Sequence, residues 1–175
     1  DYYHMLTSTI AYGHIGFLPP ADVPLAARGY YLMQQLQSRY NMVPVEAILY
    51  RAHDGRMLSI SEALPVGANR RGQVYVEYKN GLIIYANHNK TEHWDVTLGG
   101  KRYRLPPWGW VATAPGFVEY SAEFDGRRVD FVDSPEYTYM DAGDVPFDFG
   151  VMATAGQVVI KKNMPGGPKV IWLRT

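Results

Sequence analysis

Three pairs of turn-forming residues, each placed between runs of alternating residues, constrain the fold of this chain more than any other feature. The pairs are Asn80-Gly81 within VYVEYKNGLIIYAN, Gly99-Gly100 within WDVTLGGKRYRL and Asp125-Gly126 within SAEFDGRRVDFV. Such pairs tolerate the left-handed backbone that a tight antiparallel hairpin requires. We therefore predict three consecutive hairpins that form a meander.

Short β-type runs continue along the chain from Val45 onward. Pro106-Pro107 cannot donate hydrogen bonds to a ladder, so we expect the chain to leave one sheet there and to re-enter at Trp110. The spacing of the runs predicts a mainly β fold, an antiparallel two-sheet β-sandwich. The predicted strands are Ala47–Tyr50, Met57–Ile60, Gln73–Tyr78, Leu82–Asn87, Trp94–Leu98, Trp110–Ala114, Val118–Phe124, Arg127–Val132, Val158–Ile160 and Val170–Leu173.

The first 44 residues follow a different pattern. An apolar, β-branched run with Gly13 and Gly16 near its end indicates a strand, and PLAARGYYLMQQLQSRYN has apolar residues at helical spacing. Pro24 suits the first turn of that helix, which we predict to end near Tyr40. The sequence thus predicts a strand and helix segment over residues 1–44 and a β-sandwich domain over residues 45–175.

Charge and composition limit the classes of partner. The 17 Lys and Arg residues equal the 17 Asp and Glu residues, so no global field attracts nucleic acid or an anionic membrane. No apolar run is long enough to span a bilayer, and no export signal follows Asp1, so we expect that the start was removed or that the chain is a fragment. Cysteine is absent, which excludes disulfides but leaves the compartment open; we expect a secreted or periplasmic protein.

The order of the β-type runs also carries a family resemblance. GQVYVEYKNGLIIYANHNKTEHWDVTLGGKRYRLPPWGWVA, followed by YSAEFDGRRVDFVDSPEYTYMD, resembles the β-sandwich appended to the C-terminal side of bacterial glycoside-hydrolase-like (β/α)8 barrels. In those appendages a strand that ends in an asparagine pair precedes a tryptophan strand and then LPPxGwxA. The resemblance covers Val45 to Asp144, and STIAYGHIGFL with the following helix is similar to the last strand and helix of such a barrel.

The resemblance implies a non-catalytic accessory portion of a larger enzyme. Such a portion supports the catalytic domain of the same parent chain and either contacts a polysaccharide or oligosaccharide or only stabilises its neighbour, and the stabilising role is the one we expect. Alone it should be inactive, because at most one of eight strand–helix units is present. The alternative is a self-sufficient small sandwich that binds carbohydrate or another ligand, or a small enzyme with an aromatic-lined pocket. A compact N-terminal segment would favour the alternative, whereas the fragment predicts exposed apolar surface around Ile10, Ile15, Phe17 and Leu18.

The carboxylates give no catalytic assignment. Glycoside hydrolysis needs two facing carboxyl groups, about 5–10 Å apart. No motif singles out such a pair, and charged residues on strands are normally exposed. We assign no catalytic residue and expect solvated strand faces for Glu46, Glu62, Glu77, Glu92, Asp95, Glu119, Glu123, Asp130, Asp133 and Asp148.

Three side chains are candidates for carbohydrate contact. Tyr12 and His14 lie in AYGHIGFL, where the resemblance places the end of a barrel strand, the edge on which barrel enzymes build their sites. The structural alternative for His14 is a partly buried imidazole bonded to backbone. Trp108 is the tryptophan expected at an exposed loop tip, where its ring is the candidate for stacking on a sugar, but a single exposed ring favours a structural role. Trp94 and Trp110 are expected to fill the core.

The sequence predicts no metal or cofactor site. His88 and His93 bracket NKTE, but no third ligand accompanies them, and zinc normally takes at least three protein donors. Asp141, Asp144 and Asp148 offer oxygen ligands of the kind that calcium accepts, without the regular spacing of a calcium-binding loop.

Overall fold

A computed structural model describes residues 2–16 and 22–174, which form a mainly β, antiparallel fold with an N-terminal helical segment. The predicted fold class is confirmed. The helices are α1 (Tyr2–Ala11), α2 (Val23–Tyr40) and α3 (Ile60–Val66), and a 3-10 helix spans Ala68–Arg71. The strands are β1 (Val45–Arg51), β2 (Met57–Leu58), β3 (Gln73–Tyr78), β4 (Ile83–Asn87), β5 (Trp94–Leu98), β6 (Lys101–Leu105), β7 (Gly109–Ala114), β8 (Phe117–Phe124), β9 (Arg127–Asp133), β10 (Tyr137–Asp141), β11 (Phe147–Asp148), β12 (Ala153–Thr154), β13 (Gln157–Lys161) and β14 (Lys169–Arg174).

Twelve strands form one antiparallel sheet, whose main path runs β14-β13-β10-β9-β8-β7-β4-β3-β1-β2. The three predicted turn pairs each close a hairpin, joining β3 to β4, β5 to β6 and β8 to β9. The predicted meander of three consecutive hairpins is wrong. Strand β4 pairs with β7, and the β5–β6 hairpin lies outside the main order of strands in the sheet. The chain re-enters at β7 just after the two prolines, as predicted.

Alternate residues of the sheet face two separate hydrophobic clusters. Trp110 belongs to a cluster with the helix residues Leu6 and Leu32, whereas its neighbour Val111 belongs to a cluster with Trp94 of the β5–β6 hairpin. Successive side chains of a strand point to opposite faces. Helices α1 and α2 therefore cover one face, and the hairpin covers the other. Trp94 and Trp110 are both buried, so their predicted place in the core is confirmed.

The strand predicted in STIAYGHIGFL is absent from the described part of that segment, because residues 2–11 form a helix and residues 12–16 form no strand. Leu6 and Ile10 lie one helical turn apart and are fully buried against the sheet. Packing of this apolar stripe outweighs the preference of threonine and isoleucine for strands. Gly13 follows the helix with φ +65°, the left-handed conformation that commonly ends helices.

Helix α2 closely follows its prediction. The Asp22 carboxylate accepts a hydrogen bond from the Leu25 N–H over 2.9 Å, and Pro24 occupies the first turn. Leu32 is buried on the sheet, and the helix ends at Tyr40. The domain boundary predicted between residues 44 and 45 falls at the change from helix to strand. The hydrophobic cluster that contains Leu32 and Trp110 includes residues from both sides of this boundary. Among the described residues, none of the helices is long and apolar enough to cross a membrane.

Candidate functional site

A cleft of about 580 Å³ lies at the end of the β3–β4 hairpin opposite its turn. The 3-10 helix before β3 forms one side, and the loop after β4 forms the other. We call it the basic cleft, and its lining residues are Tyr12, Asn69, Arg70, Arg71, Gly72, His88, Asn89, Lys90 and Thr91.

Gly72 allows the two sides of the basic cleft to approach each other. Its φ is +76°, and a Cβ atom there would lie 2.7 Å from the carbonyl oxygen of His88. The His88 N–H donates a hydrogen bond to the Gly72 carbonyl oxygen over 2.7 Å. This bond continues the hairpin beyond the pairing of Gln73 with Asn87. Only glycine combines this conformation with so close a contact.

Two asparagines hold the loop that follows β4. The Asn89 side-chain oxygen accepts hydrogen bonds from the N–H groups of Thr91 and Glu92 over 2.9 and 2.8 Å. The buried Asn87 amide donates to the carbonyl oxygens of Glu92 and Leu105 over 2.8 and 3.0 Å. Because these amides bind the loop from inside, its shape is set before any ligand arrives.

The basic cleft carries a local excess of positive charge. Arg71 contacts the carboxylate of Glu92, which neutralises it. Arg70 and Lys90 are exposed, and neither has an ion-pair partner within residues 2–16 and 22–174. No aspartate or glutamate occurs among the described residues that line the cleft. A ligand therefore meets two uncompensated cations, although the whole chain is balanced in charge.

Five rings next to the cleft form a cluster that we call the aromatic wall: His4, Tyr12, His14, His88 and Trp108. The His88 ring centroid lies 4.9 Å from that of His4, 4.8 Å from that of Trp108 and 6.4 Å from that of Tyr12. The Tyr12 and His14 centroids are 6.2 Å apart. The structure thus brings together the three residues predicted to contact carbohydrate.

The three predicted residues differ in exposure. Tyr12 is 47% exposed, and His14 is also exposed. Trp108, predicted at an exposed loop tip, is instead partly buried, because the His4 ring of α1 lies 4.4 Å from it. The hydroxyl of Thr7 on the same helix donates to the Trp108 carbonyl oxygen over 2.6 Å. A helix in place of the predicted strand therefore leaves Tyr12 as the more accessible ring.

His88 joins the aromatic wall to the basic cleft. Burial lowers the pKa of its imidazole below the ordinary value of 6.5, and nearby His4 and Lys90 act in the same direction. The neutral form of the ring is therefore the major one at pH 7. Its Nε2 atom is buried and has no hydrogen-bond partner among the described residues.

Two of the residues considered for metal binding, His93 and Asp141, pair with other side chains. The His93 Nε2 atom lies 3.0 Å from a carboxylate oxygen of Glu123 on β8. Asp141 is buried and accepts hydrogen bonds from the Arg28 guanidinium over 3.0 and 2.6 Å. Within the described part of the chain, no group of three or more His, Asp or Glu side chains is arranged to hold a metal ion.

Glu119 and Asp130 are buried, so the prediction of solvated strand faces is wrong for these two carboxylates. The reason is that helices α1 and α2 cover the face on which they lie. The Tyr3 hydroxyl donates to Asp130 over 2.7 Å, and the Trp110 indole N–H donates to Glu119 over 2.8 Å. A saccharide cannot reach either group beneath the helices.

We predict that Glu119 makes stability depend on pH. Burial raises its pKa well above the ordinary value of 4.5, so the folded state retains a proton that the unfolded state releases above that pH. Its stabilisation is complete below pH 4.5 and is lost as the pH rises toward the folded-state pKa. Relative to Glu119→Gln, the wild type should lose up to about 1.4 kcal/mol of unfolding free energy per pH unit.

Urea denaturation at several pH values between about 5 and 8 measures this difference. Glu46→Gln, at an exposed glutamate on β1, is the matched control and should leave the pH dependence unchanged. Parallel curves for the wild type and Glu119→Gln would contradict the prediction.

The basic cleft places guanidinium, ammonium, amide and hydroxyl groups beside aromatic rings. This combination can bind a polar ligand by hydrogen bonds and by stacking. Sequence reasoning missed His4, Arg70, Arg71 and Lys90 as members of the site.

Comparison of the chain with models of known protein families, with curated proteins and with solved structures found no match.

Proposed function

We propose that this chain is a non-catalytic accessory portion of a glycoside-hydrolase-like enzyme and that it contacts carbohydrate in the basic cleft. The observation that carries the proposal is a preformed cleft with polar donors on both sides, an exposed tyrosine ring at its border and no carboxylate among its described lining residues. This set of groups suits binding of a polyhydroxylated ligand without its hydrolysis.

The geometry supports saccharide binding in two ways. Tyr12 offers an exposed ring on which the apolar face of a pyranose can stack. Asn69, Arg70 and Thr91 offer amide, guanidinium and hydroxyl groups to the sugar hydroxyls. The volume of about 580 Å³ lies within the range of clefts that hold small molecules.

The positions of the carboxylates support binding rather than catalysis. A glycosidase needs an accessible pair that flanks the scissile bond. Glu92, the acidic residue nearest in sequence to the cleft loop, is held by Arg71. Glu119 and Asp130 lie beneath the helices, where no substrate reaches them.

A self-sufficient binding protein is the second candidate, and the shared core favours it. Leu6 and Ile10 are fully buried against the sheet, so the N-terminal helix has its packing partner within this chain. Ile15 is 69% exposed, and Phe17 and Leu18 lie outside the described residues. The two candidates share the binding site and differ in whether a catalytic neighbour is needed.

We predict that the isolated chain is retained on an insoluble polysaccharide and does not turn over aryl glycosides. A pull-down assay on a panel of insoluble neutral and acidic polysaccharides measures binding. Tyr12→Ala should weaken binding about tenfold, because an exposed stacking ring is lost, with little change in the melting temperature.

Tyr30→Ala is the matched control, because Tyr30 is similarly exposed but lies on α2, away from the cleft. It should bind as the wild type does. Absence of retention on every polysaccharide would refute the proposed function, as would turnover that a single carboxylate substitution abolishes.

A further inference from the structure

We propose that the basic cleft selects an acidic saccharide, whose carboxylate or sulfate group binds between Arg70 and Lys90. This inference rests on the proposed function and names its substrate class. Whole-chain charge does not predict it, because lysines and arginines equal aspartates and glutamates.

Arg70 and Lys90 are the two cations that lie on the two sides of the basic cleft. The β3–β4 register sets Gln73 opposite Asn87, and the bond between Gly72 and His88 continues it. Arg70 and Lys90 follow on the two sides of the cleft, and both line it. Two cations that line one cleft repel each other, and an anion bound between them is attracted to both.

The acidic residues near the basic cleft leave Arg70 and Lys90 without a negative partner among the described residues. Glu92 is already bound to Arg71, so it does not compensate Arg70 or Lys90. The described lining residues include no other acidic group. An anionic ligand would therefore gain attraction to both cations, whereas a neutral sugar would gain only ordinary hydrogen bonds.

Three polar atoms on the residues that line the basic cleft lack a hydrogen-bond partner among the described residues. The Arg71 Nε, His88 Nε2 and Asn69 Oδ1 atoms are buried, and none has a hydrogen-bond partner among the described residues. Buried polar atoms are normally paired in folded proteins. Because these atoms are closed to solvent, a saccharide pairs with them only if the lining side chains turn toward the cleft on binding.

The test is isothermal titration of the intact chain with matched oligosaccharides: oligogalacturonate, a sulfated galactan oligomer and a neutral galactan oligomer. We expect at least about tenfold tighter binding of one acidic oligomer than of the neutral one. Comparison of the two acidic oligomers identifies the preferred anionic group. Affinity for the acidic oligomer should fall as salt increases, because partly exposed charges are screened.

Arg70→Gln and Lys90→Gln, alone and combined, test the named residues. The double variant should lose at least about tenfold in affinity for the acidic oligomer and less than about twofold for the neutral one. Lys79→Gln, at an exposed lysine beside the hairpin turn, is the matched control and should change neither affinity. Circular dichroism melts verify that all variants are folded.

The outcomes separate this inference from the proposed function. Equal binding of acidic and neutral oligomers, unaffected by the double variant, would overturn the acidic selectivity and leave carbohydrate binding in place. Binding of inorganic sulfate alone, with no saccharide bound, would overturn both, as would absence of all binding.

Discussion

Replacing Trp110 by alanine should lower the free energy of unfolding by about 3–5 kcal/mol, as is typical when a large aromatic side chain is removed from a core. The Trp110 side chain is fully buried beneath helix α1, with its ring centroid 6.4 Å from that of Tyr3. Its indole N–H also donates to Glu119 over 2.8 Å. The substitution therefore creates a cavity and leaves a buried carboxyl group without its donor. Urea denaturation followed by circular dichroism measures the loss.

Trp172→Ala is the control for this prediction. The Trp172 side chain on β14 is about half exposed, so its removal should cost less than about 1 kcal/mol. Equal losses for the two variants would mean that Trp110 does not fill the core between the helices and the sheet.

The hairpins could be predicted from the sequence because their determinants are local. Asn80-Gly81 fixes both the turn and the pairing of β3 with β4. The partner of β4 on its other side is not a local property: Asn87 lies opposite Gly109, across the excursion of β5 and β6. Alternation within those strands carries no information about which strand follows β4 in the sheet. The predicted meander failed for this reason.

The N-terminal helix could not be identified from residue preferences alone. Its threonines and isoleucine favour a strand, and the stripe formed by Leu6 and Ile10 has a clear partner only when the sheet beneath it is present. The burial of Glu119 and Asp130 is a consequence of the same helix layer. The misassigned α1 accounts for the predicted exposure of Trp108, and α1 together with the placement of α2 on the same face accounts for the missed buried carboxylates.

Part of the basic cleft was accessible from the sequence. The turn at Asn80-Gly81 fixes the register, and extending it past Gln73 and Asn87 sets the segment NRRG opposite HNK. The extended register makes Arg70 and Lys90 neighbours across the cleft. The contribution of His4 depends on the long-range contact of α1 with Trp108, for which the sequence has no local signal.

Replacing Asp141 by alanine should lower the free energy of unfolding by about 3 kcal/mol, because the partly buried Arg28 guanidinium then keeps only the Asp130 carboxylate, 3.7 Å away, as an ion-pair partner. The Asp141 carboxylate is 4% exposed and binds the Arg28 guanidinium at 2.6 Å. It also accepts hydrogen bonds from the Gln157 amide over 2.9 Å and from the Gly143 N–H over 3.0 Å. Helix α2 thus loses its ionic attachment to β10, and three further donors, on Gln157, Gly143 and Tyr139, lose their acceptor. Chemical denaturation at neutral pH measures the effect.

Two variants separate the charge of Asp141 from its shape and position. Asp141→Asn retains an acceptor oxygen and a side chain of similar size but removes the charge. Its loss of unfolding free energy should therefore be about 1–2 kcal/mol smaller than that of the alanine variant. Asp148→Ala, at an exposed aspartate that accepts only the Gly150 N–H among the described residues, should cost less than about 1 kcal/mol. If Asp141→Ala cost no more than Asp148→Ala, the ion pair with Arg28 would not be what holds helix α2 to the sheet. The attachment would then depend on apolar packing of residues such as Leu32, and substitution of Leu32 would be the dominant loss in this layer.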